Sequence, residues 1–236
     1  MSMASSPTSY DYITISNKHR YASKHNYDMV WDFEPNPGYG KSWDKLNITR
    51  DTIQRAIVGE KSYEWVWMLD LDTLIMNSSV TLEDLVDRSL EYGEREGKKR
   101  EDIHMILTRD CPGEPLNAGS MIFRASTWVL QMIEQWRSHD VDADVGEGYR
   151  LDQGALKAML QEDVFSSAQK SVIVPQTWMN SYPEEIQCYD PREEALMRPW
   201  EYGDFVIHFA GAAWHHAELR DPVAHFMRKY IKYALQ

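Results

Sequence analysis

A three-layer α/β sandwich around a largely parallel sheet is the fold the sequence predicts, and three observations predict it. Strand-like apolar runs alternate with segments of helical periodicity along all 236 residues. No internal repeat or low-complexity stretch interrupts them. With 43% hydrophobic and 26% charged residues, the composition is that of an ordinary globular chain, long enough to bury one good core. Residues 1–16 read as a poorly defined N-terminal segment and 17–236 as a single domain.

Taken in order, Ile13 to Tyr27 reads as a basic helix and Met29-Val30-Trp31 as a short strand, with Ile13 to Ile15 as an alternative strand remnant. Asn36 to Gly40 is a turn by its Pro and Gly. Leu46, Arg50, Ile53 and Ile57 recur at helical spacing across Ser42 to Val58; by composition alone, Lys45 on this helix is a solvated lysine. Trp65 to Met76 organises the chain: five apolar residues run into Asp70 and Asp72, and a second apolar cluster follows. As a strand of period two, this places both carboxylates on one side at its open end. A paired carboxylate needs compensation, which a divalent cation supplies while keeping an open side for phosphate oxygens.

Thr81 caps a helix bearing Leu82, Leu85, Val86 and Leu90, which gives way to a solvated loop over Glu91 to Asp102. Ile103 to Leu107 is a strand. Leu116 to Arg124 is another, opening with the small and polar Asn117-Ala118-Gly119-Ser120, which lets a bulky ligand approach the backbone. Ser126 starts a helix with Val129, Ile133 and Trp136 on one face. Asp140, Asp142 and Asp144 lack the glycine and glutamate of a calcium loop and read as solvated. Asp152-Gln153 opens a helix through Leu160, Ser171 to Pro175 is a strand, and Thr177 to Pro199 is irregular. Phe205 to Gly211 is a strand whose His208, taken alone, reads as a satisfied core residue. Asp221-Pro222 supplies a cap and first-turn proline for the last helix.

A net charge of −12 excludes a nucleic-acid-binding surface built on clustered Lys and Arg. No run of about 18 apolar residues crosses a membrane, so any anchor would lie outside this sequence. Cys111 and Cys188 are either paired or free, which leaves the compartment open. Asn47-Ile48-Thr49 and Asn77-Ser78-Ser79 match the N-glycosylation pattern, which short sequences also produce by chance.

Six motifs occur together and in order: Asn17-Lys18…Tyr21-Ala22…His25, Trp43…Lys45-Leu46, Trp67-Met68-Leu69-Asp70-Leu71-Asp72, Leu116 to Ser120, Leu151-Asp152-Gln153, and Val206-Ile207-His208-Phe209-Ala210-Gly211. As a set they resemble the retaining, nucleotide-sugar-dependent glycosyltransferases of family 34. That family includes fungal α-1,2-galactosyltransferases, yeast α-1,6-mannosyltransferases and plant xyloglucan xylosyltransferases. The resemblance implies a GT-A fold, Rossmann-like, whose opening apolar strand, which helps hold the nucleotide base, is here either truncated or reduced to Ile13 to Ile15. It implies a hexosyltransferase that moves galactose or mannose to a glycan acceptor from UDP-galactose or GDP-mannose, with Mn²⁺ or another divalent cation. It further implies a Golgi enzyme held by an anchor this sequence does not contain, with partner glycosyltransferases, or a cytoplasmic enzyme if the natural chain starts here.

By the same resemblance, Asp70 contacts ribose or metal, while Asp72 and His208 bind the metal. Lys45 faces the diphosphate; Asn117, Gly119 and Gly211 line the donor site; Asp152 and Gln153 lie at the reacting face of the sugar. The plant members' lysine beyond the His-Phe-x-Gly motif corresponds to Ala213, with His215, His216 or Arg220 as substitutes. Two other readings compete. Asp70-Leu71-Asp72-Thr73 also resembles the first motif of haloacid-dehalogenase-type phosphatases, but lacks the glycine before the threonine. A non-catalytic subunit that binds sugar nucleotides is the other.

Overall fold

The computed structural model describes residues 8–31, 41–138 and 152–235. Two helices come first, α1 (Asp11–His25) and α2 (Lys41–Ile57), followed by β1 (Trp65–Leu69), β2 (Thr73–Ile75), α3 (Leu82–Arg95), β3 (Met105–Thr108) and β4 (Asn117–Arg124). Then come α4 (Thr127–Ser138), α5 (Asp152–Gln161), α6 (Ser167–Lys170), β5 (Ser171–Val174), α7 (Gln176–Met179), β6 (Val206–His208), α8 (Ala212–His215) and α9 (Pro222–Tyr230).

The main sheet has the order β1-β4-β3-β5, and a small second sheet pairs β2 with β6. β3 and β5 are parallel, but β4 runs antiparallel to both β1 and β3. The sheet is therefore mixed rather than largely parallel, because alternating apolar patterns fix which face a strand buries and not its direction. The reversal of β4 has a functional result: its N-terminal end lies beside the C-terminal ends of β1 and β3.

Side chains alternate across the sheet as the pleat requires. Met68, Met105, Met121 and Phe123 face one side, where α2, α4 and α5 cover them with Leu46, Ile53, Ile133, Trp136 and Leu156. Leu69, Ile106, Ile122 and Val172 face the other side, under α3 and Tyr21 of α1. Each fully buried Leu, Ile, Met or Phe contributes roughly 1.5–3 kcal/mol. A third apolar cluster joins the β2–β6 sheet to α8 and α9 through Leu74, Ile207, Phe209 and Met227.

Two caps expected from sequence form: the Thr81 side chain accepts from Asp84 N at 3.0 Å and Asp221 from Ala224 N at 3.4 Å. The solvated loop expected from Glu91 is in part helix, since α3 continues to Arg95. Gly93 does not break it; a Cβ there would meet Ile103 Cδ1 at 2.5 Å, so this glycine is the point of close packing. Met29–Trp31 is not a strand, and Ile13 to Ile15 lies inside α1 rather than forming a strand remnant. Among the described residues, β1 pairs only with β4 and forms the edge of the sheet. The turn at Asn36 to Gly40 and the acidic stretch at Asp140 to Gly148 lie outside the described residues. Asn47 is buried in α2, so that glycosylation triplet is closed in the folded chain. Among the described residues, no helix is long and apolar enough to cross a membrane.

His104 accounts for one expected pH effect. Burial, with Lys170 and Arg124 nearby, pushes its ring down from 6.5 to about 4. The fold therefore holds it neutral while the unfolded chain takes up a proton, and stability falls as pH drops from 6.5 toward 4. His104→Asn is expected to flatten the dependence of melting temperature on pH in that window; an unchanged slope would assign the acid sensitivity to other groups.

Candidate active site

The carboxyl ends of β1 and β3 and the amino end of β4 open into a cleft of about 770 Å³. Among the described residues, its acidic lining residues are Asp70, Asp72, Asp110, Glu114 and Asp152, facing Lys45 and Lys157 as lysines. An anionic ligand would meet net repulsion there unless a cation came with it.

β1 ends at Leu69, so Asp70 and Asp72 are not two same-side residues of one strand. They lie in a turn that carries the chain from the main sheet into the small one, closed by Thr73 Oγ1 donating to Asp70 O at 2.6 Å. The turn still brings them together with a histidine: ligand atoms of Asp70, Asp72 and His208 all lie within 4.8 Å of one another. His208 pairs with Thr73 across the β2–β6 ladder, which sets its ring against Asp72. Nε2 is 3.2 Å from Asp72 Oδ1, and Nδ1 is 2.8 Å from Asn180 Oδ1. An amide oxygen only accepts, so Nδ1 carries the proton and Nε2 is aimed at the carboxylates. Burial disfavours the charged imidazole, but Asp72 outweighs it and raises His208 above its ordinary value. Burial also works against charge on Asp72, and His208 more than offsets it, holding that carboxyl low.

Two carboxylates and one oriented imidazole form an oxygen and nitrogen donor set that fits a divalent cation, with Asn180 as the outer partner such sites use. Gly119 completes the fit. A Cβ at this position would lie 2.2 Å from His208 Cε1, so only glycine leaves room for the ring. Its role here is to seat His208.

Lys45 is not the solvated residue its composition suggests. It is 5% exposed, and Nζ lies 2.7 Å from Asp152 Oδ2, 3.1 Å from Asp70 Oδ1 and 2.9 Å from Ala118 O. Burial works against the ammonium, but Asp152 and Asp70 outweigh it and keep Lys45 charged. Asp152, at the start of α5, is itself pushed up by burial despite Lys45. Gln153 is fixed at both ends: its Oε1 accepts from Ala118 N at 3.0 Å and its Nε2 donates to Asp110 Oδ2 at 2.7 Å. Asn117 donates to Tyr182 Oη at 2.9 Å and accepts from Gly119 N at 2.8 Å. Gly211 lines the cleft with a positive φ of 76°. Of the residues weighed as substitutes for a lysine at Ala213, His215 lines the cleft; His216 binds Glu185 O at 3.0 Å instead.

Sequence reasoning missed Asp110 and Tyr182. Tyr182 donates to Asp110 Oδ1 at 2.7 Å, and burial followed by Asp110 pushes its phenol well above 10.0. Asp110 had a usable signal, a carboxylate just beyond a strand, where α/β sheets place their ligand sites. Tyr182 lies in the irregular stretch and had none. The two are held together by a disulfide between Cys111 and Cys188, which ties the β3–β4 turn to that stretch across 77 residues of sequence. Its loss, in Cys111→Ser with Cys188→Ser, is expected to lower stability by about 2–4 kcal/mol in denaturant titration. An unchanged midpoint would show that the bond constrains nothing.

The architecture is a GT-A fold. It matches a glycosyltransferase involved in the glycosylation of the major capsid of PBCV-1 with a TM-score of 0.64, covering 94% of this chain and 95% of that one at 16% identity. The chain belongs to the galactosyl transferase GMA12/MNN10 family, whose model matches residues 2–217. It is 26% identical over 223 residues to the probable alpha-1,6-mannosyltransferase MNN10 of Saccharomyces cerevisiae, covering 84% of this chain and 54% of that protein. It is 28% identical over 251 residues to an alpha-1,2-galactosyltransferase of Schizosaccharomyces pombe, covering 93% and 59%. The chain thus spans a little over half the length of these two relatives.

Proposed function

We propose that the chain is a metal-dependent, retaining hexosyltransferase that moves galactose or mannose from a nucleotide sugar to a glycan acceptor. The observation that carries this reading is the convergence of Asp70, Asp72 and His208 in an acidic cleft of a chain of this family. Asp72 and His208, with Asp70, would hold Mn²⁺, which when bound supplies positive charge for a diphosphate leaving group. Lys45 spends its donors inside the protein, so its proposed role is to fix Asp70 and Asp152 rather than to contact phosphate. His215 is the cleft residue placed to help with that charge.

Asn117, Asp110 and Gln153 form one hydrogen-bonded wall with Tyr182, and we assign this wall to the donor sugar. Gln153 keeps its carbonyl on Ala118 N, so it meets the reacting face as an oriented amide. Asp152 lies behind it and holds Lys45. Retention calls for attack on the face that the leaving group vacates. The acceptor oxygen bonds to the anomeric carbon as the carbon–oxygen bond to phosphate breaks, and the acceptor proton passes to the departing phosphate oxygen. No stronger protein base is needed for that transfer.

The Cys111–Cys188 bond supports an oxidising compartment such as the Golgi lumen. Membership in this family leaves the phosphatase reading without support. Thermal shift in Mn²⁺ with UDP, GDP, UDP-galactose and GDP-mannose tests the proposal and names the nucleotide. Stabilisation by one nucleotide and its sugar, dependent on the metal, is expected. No shift with any of them would overturn it.

A further inference from the structure

The Asn17-Lys18…Tyr21…His25 motif does not line the cleft, yet Asn17, Lys18 and Tyr21 are buried on one stripe of α1 and His25 is partly buried. Thr14, Asn17, Lys18 and Tyr21 follow helical spacing, and three of the four are polar. Such a stripe is costly against an apolar core, and here it faces backbone instead. β2 bonds to β6 through alternate residues: Phe209 N donates to Asp72 O at 2.8 Å and Met76 N to Phe205 O at 2.7 Å. The intervening residues, Thr73 and Ile75, turn their backbone groups the other way, where a third strand would normally meet them.

Side chains of α1 take that place. Thr73 O accepts from Lys18 Nζ at 2.7 Å and from Thr14 Oγ1 at 3.2 Å. Asn17 pairs with both backbone groups of Ile75, donating to O at 2.8 Å and accepting from N at 2.7 Å. The row continues with Tyr21 Oη donating to Val80 O at 2.9 Å and His25 Nε2 donating to Ser78 O at 2.7 Å. A two-stranded ribbon is marginal by itself. β2 starts one residue after Asp72, and Thr73 stands opposite His208 in the ladder.

We propose that Thr14 and Asn17 of α1, with Lys18, are positioning residues for metal binding: they serve as a side-chain strand that closes the free edge of β2 and so holds Asp72 against His208. This rests on the reading that Asp70, Asp72 and His208 bind a divalent cation. Positioning differs from general stabilisation along the row. Thr14 and Asn17 grip the part of β2 nearest Asp72, whereas Tyr21 grips Val80, eight residues beyond it.

The test is a Mn²⁺ titration followed by electron paramagnetic resonance, alongside metal-free thermal melts, on the whole chain and on Thr14→Val, Thr14→Ser, Asn17→Ala and Tyr21→Phe. Asn17→Ala and Thr14→Val are expected to raise the Kd for Mn²⁺ about tenfold, the scale seen when an outer partner of a ligand is lost. Thr14→Ser keeps the hydroxyl and is expected to retain the parent affinity. Tyr21→Phe is expected to lower the melting temperature and leave the Kd unchanged. If Asn17→Ala fails to fold, Thr14→Val against Thr14→Ser carries the comparison. Parent-like affinity in Thr14→Val, or a loss in Tyr21→Phe equal to that in Thr14→Val, would overturn the positioning role while leaving the metal site intact. Absence of Mn²⁺ binding by the unaltered chain would overturn the metal site and the proposal together.

Discussion

Lys45→Met is expected to cost about 3–5 kcal/mol of folding stability, the range for removing one partner of a buried ion pair. The size follows from what is left behind. Lys45 and Asp152 are 5% and 4% exposed, and among the described residues the Lys45 ammonium is the cation that pairs with Asp152, while also holding Asp70 and Ala118 O. Methionine fills the volume of the stem but leaves a buried carboxylate without its cation and a carbonyl without its donor. Asp152 would then have to take up a proton, a direction in which burial already pushes it. The double variant Lys45→Met with Asp152→Leu removes both charges and is expected to recover much of the loss. Denaturant titration at neutral pH measures both. A loss below about 1 kcal/mol for Lys45→Met would mean the pair behaves as a surface ion pair and does not organise the cleft.

His208→Ala is expected to weaken Mn²⁺ binding by about 100-fold or more, at or beyond the upper end for loss of an outer partner. The imidazole is the one nitrogen donor in the set, and its position is fixed twice, by Asn180 on Nδ1 and by the bare backbone of Gly119 under the ring. Removing it opens a void beside Asp72 and leaves only the two carboxylates of the turn to hold the ion. Asn180→Ala, which frees the ring without deleting it, is expected to give a smaller loss of about 10-fold. Titration by isothermal calorimetry orders the two variants. Equal, near-parent affinities would place the cation elsewhere in the cleft.

Much of this site was legible because its residues come with local signals. Asp70 follows an apolar run, Asn117 and Gly119 open a strand with small residues, and Thr81 and Asp221 cap helices in patterns that need no knowledge of the rest of the chain. Other features depend on distant partners and left no local trace. Lys45 looks solvated until Asp152 is brought beside it from more than a hundred positions away. The polar stripe Thr14, Asn17 and Lys18 resembles an exposed helix face, because period alone does not reveal that the facing surface is backbone. The direction of β4 is equally silent, since its alternation reads the same both ways. Asp110 and Tyr182 meet only because a turn and an irregular stretch converge, where neither period nor turn chemistry extends across the gap.

The most direct measurement of the central claim is Mn²⁺-dependent turnover of a panel of UDP- and GDP-hexoses by the chain and by Asp72→Ala. Slow hydrolysis of one donor, dependent on the metal and abolished in the variant, is the result expected of a hexosyltransferase whose metal site is Asp70, Asp72 and His208. No turnover of any donor, or turnover that survives Asp72→Ala, would contradict it.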